Sequence, residues 1–254
     1  PVLKATNPIP TFGKQQLEII LDQNPGIVSF HFGLPKEVYI NALKEKKIKI
    51  LSTATTIIEA LDLEKRGADI VIAQGYEAGG HRGTYMDDAK EQTGSISLIP
   101  QISDAISIPT IAAGGINDGR GIAAAMLLGA EGVQIGTGFL LANEASCNHI
   151  YRRALKNSNG SDTCITYGFS GRPARAIKNK YTMATHGMEK LLPNFPIPAT
   201  LLQEIQAASI KERSPDYLPL WCGQSVSLTL EMPAEKIIKK FAQDTEKTLK
   251  KFSK

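Results

Sequence analysis

The sequence has no apolar run long enough to cross a bilayer, which takes roughly 20 consecutive apolar residues. Its first residues also lack the basic and apolar regions of a secretory signal. We therefore expect no membrane association and predict a cytoplasmic location by default.

Cysteine is scarce, with three residues among 254, Cys147, Cys164 and Cys222. They have neither the CxxC nor the Cys/His spacing of a zinc site, and an odd number does not suggest a disulfide framework. We predict no metal ion and expect all three side chains to be buried as small apolar groups.

Net charge is also small, at +4, and the basic residues concentrate near the C-terminus. Such a run is typical of a solvated helix face. We therefore expect no nucleic-acid partner.

Five short apolar runs rich in β-branched residues are present, and each ends in small residues: 27–33, 49–55, 69–75, 109–115 and 132–138. Helical patterns lie between them at 35–46, 56–66, 99–106 and 119–128. This alternation predicts βαβ units with buried parallel strands, and it fits a barrel and an open doubly wound sheet equally well.

The third and fourth runs are separated by a polar, glycine-containing insertion at 79–95. Enlarged loops after strands are where barrel enzymes build their sites. Beyond 142 the sequence is irregular up to 232, and Pro233 then opens an amphipathic helix. We predict a main domain at 1–142, a smaller substrate-side lobe at 143–232 and a helix at 233–254 that packs back on the main domain.

The densest motif is AQGYEAGGHRG at 73–83, which begins at a predicted strand end and includes four glycines and His81. Glycines let the backbone approach a planar or anionic ligand closely. The alternative is a tight turn with a surface histidine, which does not require the accompanying Gln, Glu and Arg.

The second motif is a pair of glycine-bearing strand ends, PTIAAGGINDGRG at 109–121 and GAEGVQIGTGFL at 129–140. In a (β/α)8 barrel, the loops after the last two strands commonly bind phosphate through backbone N–H groups. Close helix packing is the alternative explanation for these glycines.

With FSGRPAR at 169–175 and LWCGQ at 220–224, these motifs resemble those of the nitronate monooxygenases, formerly called 2-nitropropane dioxygenases. The resemblance implies an α/β fold, a (β/α)8 TIM barrel with a smaller C-terminal-side lobe. It also implies FMN as the cofactor, bound by 1–142, which would hold strands 4–8.

The resemblance further implies roles for individual residues. His81 would be the catalytic residue in front of the flavin. Apart from the resemblance, His186 is a candidate on the substrate side because it lies near Arg172, Arg175 and Lys178 in a segment that could close over the site. His31 and His149 fall within strand and helix patterns, so we interpret them as structural. The cofactor-binding candidates are Thr53, Gln74, Gly79, Gly80, Gly114, Gly115, Gln134, Ile135, Gly136 and Thr137.

In the family, an alkyl nitronate reduces FMN, O2 is consumed, and a carbonyl compound and nitrite are released. His81 would steer the anion or remove the α-proton of a neutral nitroalkane, since an imidazole titrates near neutrality. The flavin supplies the redox chemistry and the protein supplies position and charge.

Two features depart from the family. Its first three βα units are not found, which at roughly 30 residues per unit amounts to about 90 residues. We expect a further N-terminal segment to complete the barrel in the intact protein. The stretch 195–203, where relatives place tyrosines and a lysine, has Ala199 and Gln203 instead.

Two other functions stay open. One is an FMN-dependent NAD(P)H oxidoreductase of the enoyl-ACP reductase or quinone reductase type, although no dinucleotide GxGxxG fingerprint follows a strand. Arg82, next to His81, favours nitronate oxidation over this function. The other is a non-catalytic flavin-binding subunit, because a fold does not determine function.

Overall fold

A computed structural model describes residues 12–86 and 92–251. The predicted insertion at 79–95 therefore lies partly outside the described residues, as do the first and last few residues of the predicted 1–142 and 233–254 units.

The main sheet is parallel and has the strand order β1-β2-β3-β5-β6. Its strands are β1 (Ile27–Phe30), β2 (Lys49–Ala54), β3 (Ile70–Gln74), β5 (Thr110–Ala113) and β6 (Gly132–Gln134). All five coincide with predicted strands, and the predicted α/β class is confirmed. β1 and β6 form the two edges of this sheet within the described residues.

Helices alternate with these strands as the sequence predicts. They are α1 (Lys14–Gln23), which was not predicted, α2 (Glu37–Glu45), α3 (Ile57–Lys65), α4 (Ser95–Ala105) and α5 (Gly119–Leu127). Thr56 caps α3 by accepting from the Glu59 N–H, and Asp118 caps α5 by accepting from the N–H groups of Arg120 and Gly121. Such caps set where each helix begins after its strand.

Strands β1 and β5 end earlier than the sequence predicts because residues after each of them take left-handed backbone conformations. Phe32 and Gly33 have φ values of 66° and 84°, and Gly114 and Gly115 have values of 98° and 73°. An extended strand cannot include these conformations. His31 therefore lies in the turn after β1, not within a strand, which corrects the prediction.

The segment after 142 is more regular than its composition suggests. It contains α6 (His149–Lys156), β7 (Thr163–Thr166), β8 (Ala174–Ile177), α7 (Lys180–Ala184), α8 (Ile197–Leu201) and α9 (Gln203–Lys211). β8 pairs antiparallel with β7 on one side and with β4 (Gly80–His81) on the other. The loop after β3 is thereby tied to the second, three-stranded sheet.

The second sheet has its own apolar cluster, which includes Ile150, Leu155, Leu218 and Leu220. The last helix, α10 (Ala234–Lys250), buries Ile237 and Phe241 against Ala142. The division into three units stays a prediction.

The expectation for cysteine is correct only for Cys222, which is buried; burial raises the pKa of its thiol to about 12. Cys147 and Cys164 are partly exposed.

Candidate active site

A glycine-lined cavity of about 100 Å³ lies where β3, β5 and β6 end. The carboxyl ends of parallel strands meet at one edge, which is where α/β barrels bind their ligands. The cavity is lined by Gln74, Ala78, Gly79, Ala113, Gly114, Gly115, Ile116, Asn117, Gln134, Gly136, Thr137, Gly223 and Ser225. It thus contains seven of the ten predicted cofactor-binding residues.

Backbone N–H groups in this cavity lack protein partners. Among the described residues, no acceptor lies within hydrogen-bond range of the N–H groups of Gly115, Gly136 or Thr137. A Cβ atom at Gly136 would meet nothing within 4 Å, so open space lies beside this backbone. Free donors next to open space are suited to an anion such as a phosphate group.

Other glycines bring the segments of the cavity together. A Cβ at Gly79 would lie 2.4 Å from the Cys222 carbonyl carbon and the Gly223 nitrogen, so only glycine permits this approach. The Gly223 N–H donates to the Thr137 hydroxyl at 2.9 Å, which fixes that hydroxyl at the cavity wall.

Gln74, at the end of β3, connects the cavity to His81. Its amide nitrogen donates to the His81 carbonyl at 3.0 Å, and its amide oxygen accepts from the Gly83 N–H at 2.8 Å. Both ends of the side-chain amide are therefore used to hold the loop that carries His81.

Arg82 stabilises the same loop through hydrogen bonds to backbone carbonyls. Its fully buried guanidinium donates to the carbonyls of Gly75 at 2.7 Å and Gln74 at 2.8 Å. Burial and the neighbouring Arg175 lower the pKa of Arg82 to about 10, so the side chain stays charged at neutral pH. Arg82 is occupied in holding the loop and does not face a substrate.

His81 lies in a cluster of aromatic rings, which we call the aromatic cluster: Phe32, His81, Phe195 and Trp221. The His81 ring centroid is 5.9 Å from that of Phe32, 5.9 Å from that of Phe195 and 5.5 Å from that of Trp221. Its Nε2 atom forms a hydrogen bond of 2.8 Å with the Ser170 hydroxyl. The ring is therefore held both by packing and by a polar contact.

Two other side chains, those of Arg172 and His31, lie near His81. The Arg172 guanidinium stacks over Phe32, 4.1 Å from its ring centroid, and lies 5.4 Å from that of Phe195. His31 forms a 3.1 Å hydrogen bond with the Thr53 hydroxyl through Nδ1. Burial lowers the pKa of His81 to about 4, and the electrostatic interactions of its ring with His31 and Arg172 add to this effect.

The predicted residues outside the cavity have other surroundings. Thr53 is buried and bound to His31, while Gly80 is in β4 with open space beside its Cα. The Ile135 side chain packs against the apolar cluster that includes Ala112 and Ala125. His186 is exposed after α7, and no contact with the aromatic cluster is found within the described ranges.

Sequence reasoning missed several residues that the fold brings to this site: His31, Asn117, Ser170, Arg172, Trp221, Gly223 and Ser225. Three of the motifs quoted for the resemblance contain all of them except His31 and Ser225. The motifs could have been searched for further polar side chains.

The described residues lack two other kinds of feature. None of their helices is both long and apolar enough to span a bilayer. None of their His, Cys, Asp and Glu side chains gather in groups of three or more that could hold a metal ion.

A family model for nitronate monooxygenase matches residues 4–244 of the chain. The chain belongs to the nitronate monooxygenase family. Its members are flavoenzymes. A probable nitronate monooxygenase of Staphylococcus saprophyticus is 40% identical over 228 residues, which are 89% of this chain and 64% of that protein. This chain therefore spans less than two thirds of the length of that relative.

Solved structures give the same family relation. A nitroalkane oxidase from Streptomyces ansochromogenes matches 94% of this chain and 69% of its own with a TM-score of 0.86 and 36% identity. FabK from Thermotoga maritima matches 93% of this chain and 73% of its own with a TM-score of 0.76 and 30% identity. The sheet described above thus belongs to the predicted (β/α)-barrel fold class.

Proposed function

We propose that this chain forms the cofactor and substrate site of an FMN-dependent enzyme that oxidises alkyl nitronates with O2 to a carbonyl compound and nitrite. The observation that carries the proposal is the position of His81. It lies in an aromatic cluster that adjoins a glycine-lined cavity, and Gln74 is hydrogen-bonded to its carbonyl and lines the cavity. Membership of the family supports the same chemistry.

FMN fits the donor set of the cavity. The unpartnered N–H groups of Gly115, Gly136 and Thr137 would hold its phosphate, and Gln74 and Gly79 would lie toward its ring system. When bound, FMN supplies the electron acceptor for the substrate and the reductant for O2.

The protein's own contribution is electrostatic and steric. Arg172 supplies a positive charge beside the aromatic cluster, which attracts an anionic nitronate. Phe32, Phe195 and Trp221 pack around the imidazole and limit its contact with water.

His81 is neutral at pH 7, because its pKa is lowered to about 4. A neutral imidazole of low basicity removes the α-proton of a nitroalkane only slowly, since general-base efficiency falls with the pKa of the base. We therefore expect the preformed nitronate to be the faster substrate and the neutral nitroalkane the slower one.

The test is nitrite release and O2 uptake by the FMN-loaded protein with propyl-2-nitronate. With the neutral 2-nitropropane as a second substrate, we expect His81→Ala to lower kcat/KM by roughly 10²-fold or more, because the base that removes the α-proton is lost. His149→Ala is the matched control, because His149 is exposed at the start of α6 and should leave kcat/KM unchanged. Equal kcat/KM values in the two variants would show that His81 takes no part in the reaction.

One observation favours a second candidate function. FabK from Thermotoga maritima shares the fold at 30% identity over 93% of this chain. An FMN-dependent NAD(P)H oxidoreductase would use the same flavin site but a nicotinamide as its reductant. The two functions therefore differ in the compound that reduces the flavin.

A further inference from the structure

Ser170 is a buried serine in the loop between β7 and β8, and its hydroxyl has three polar neighbours. Its Oγ lies 2.8 Å from His81 Nε2, 3.3 Å from the backbone nitrogen of Arg172 and 3.2 Å from the backbone carbonyl oxygen of Arg172. A serine hydroxyl has one proton to donate and two lone pairs that accept.

These three contacts fix where the protons lie. The Arg172 N–H can only donate to Oγ, and the Arg172 carbonyl can only accept from it. If the hydroxyl donates to the carbonyl, its second lone pair accepts from an N–H at His81 Nε2, and all three hydrogen bonds form.

The opposite arrangement leaves one group unsatisfied. If the hydroxyl donated to Nε2 instead, the Arg172 carbonyl would lose this donor, and among the described residues no other donor contacts it. Loss of a hydrogen bond at this part-buried carbonyl costs free energy. The count of donors and acceptors therefore selects the first arrangement.

We propose that Ser170 is a positioning residue that holds neutral His81 as its Nε2–H tautomer, which leaves the lone pair on Nδ1 to face the substrate. This inference rests on the proposed function for its chemical consequence but not for the tautomer itself. The aromatic cluster limits rotation of the ring, and no partner of Nδ1 is found within residues 12–86 and 92–251.

The consequence concerns the neutral nitroalkane. Its α-proton moves to Nδ1, and the electron pair of the C–H bond stays on the substrate, which becomes the nitronate. His81 becomes an imidazolium whose Nε2–H still donates to Ser170. A nitronate supplied as the anion skips this step, so only the nitroalkane depends on the tautomer.

The first test is 15N NMR of the histidine-labelled protein at neutral pH, with His81→Asn to assign the His81 signals. We expect a protonated Nε2 and an unprotonated Nδ1 in the unsubstituted protein, and a mixture of both tautomers in Ser170→Ala. A protonated Nδ1 in the unsubstituted protein would overturn the proposal. This measurement requires no turnover, so its failure is distinct from failure of the proposed function.

The second test compares kcat/KM for a nitroalkane and for its nitronate. We expect Ser170→Ala to lower the nitroalkane-to-nitronate ratio by roughly tenfold, because misprotonated His81 cannot act as the base. Ser170→Thr keeps a hydroxyl and should restore the ratio. An equal loss with both substrates would show a merely structural role and contradict the proposal.

Discussion

Gly136 is the residue at which a single methyl group tests the cofactor site. Its backbone has φ −103° and ψ −69°, which alanine adopts without strain, and a Cβ there meets nothing within 4 Å. The methyl group would instead extend into the space assigned to the FMN phosphate.

We predict that Gly136→Ala weakens FMN binding by about tenfold or more, roughly 1.4 kcal/mol, without loss of stability. Flavin fluorescence titration gives the Kd and thermal unfolding of the apoprotein gives the stability. Gly26→Ala is the control, since a Cβ there also meets nothing within 4 Å and the residue precedes β1, away from the cavity. Equal FMN affinities in both variants would show that the phosphate binds elsewhere.

Single residues also show which parts of the site could be predicted from the sequence alone. The place of Gly115 and Gly136 in the cavity wall was predictable, because loops directly after parallel strands form the ligand-binding end of a barrel. Ser225 was not, because it reaches the Gly115 carbonyl across 110 positions of chain. No local pattern encodes that pairing, and the same holds for Ser170 and His81, which are 89 positions apart.

At the scale of elements, α5 and α10 pack closely at Gly119. A Cβ at this position would lie 2.4 Å from the Thr245 nitrogen and 2.5 Å from the Asp244 carbonyl carbon, both in the backbone of α10. Backbone atoms of a helix cannot give way as a flexible side chain can. Gly121, in the same helix, has Ile116 Cγ2 as its nearest neighbour at 3.4 Å.

We predict that Gly119→Ala lowers the free energy of unfolding by about 1–3 kcal/mol, as overpacking does. Gly121→Ala should leave it unchanged or raise it by up to about 1 kcal/mol, because alanine favours a helix. Urea unfolding measures both, and hydrogen exchange in α10 shows whether the loss is local. If the two variants were equally stable, the two helices would not pack closely at Gly119.

Sequence patterns predicted the strands and helices of the main sheet better than any other part of the fold. The five parallel strands and four of the helices between them follow from β-branched runs and helical spacing. The antiparallel sheet of β4, β7 and β8 was missed because β4 has only two residues and its pairing with β8 is not local. The ends of β1 and β5 were predicted too far along the chain because Phe32, like Gly33, Gly114 and Gly115, adopts a positive φ.

At the scale of the whole molecule, burial of His81 links stability to pH. The pKa of His81 is lowered from 6.5 to about 4 in the folded protein, first by burial and then by His31 and Arg172. Between these values the unfolded chain binds a proton that the folded protein does not, so stability falls as pH falls from 6.5 towards 4.

We predict that this group contributes a loss of about 3 kcal/mol across that pH window, from 1.36 kcal/mol per pKa unit. His81→Asn should therefore flatten the pH dependence of the free energy of unfolding, measured with urea from pH 7 to pH 4. His149→Asn serves as the control with the original slope. A slope unchanged in His81→Asn would mean that the imidazole is solvated in the folded protein.

The measurement that tests the central claim most directly is anaerobic mixing of the FMN-loaded protein with propyl-2-nitronate and, separately, with NADH and NADPH, followed by flavin absorbance. The account predicts that the nitronate bleaches the flavin and that nitrite appears once air is admitted. Rapid bleaching by NADH or NADPH with no response to the nitronate would contradict the account and identify a reductase.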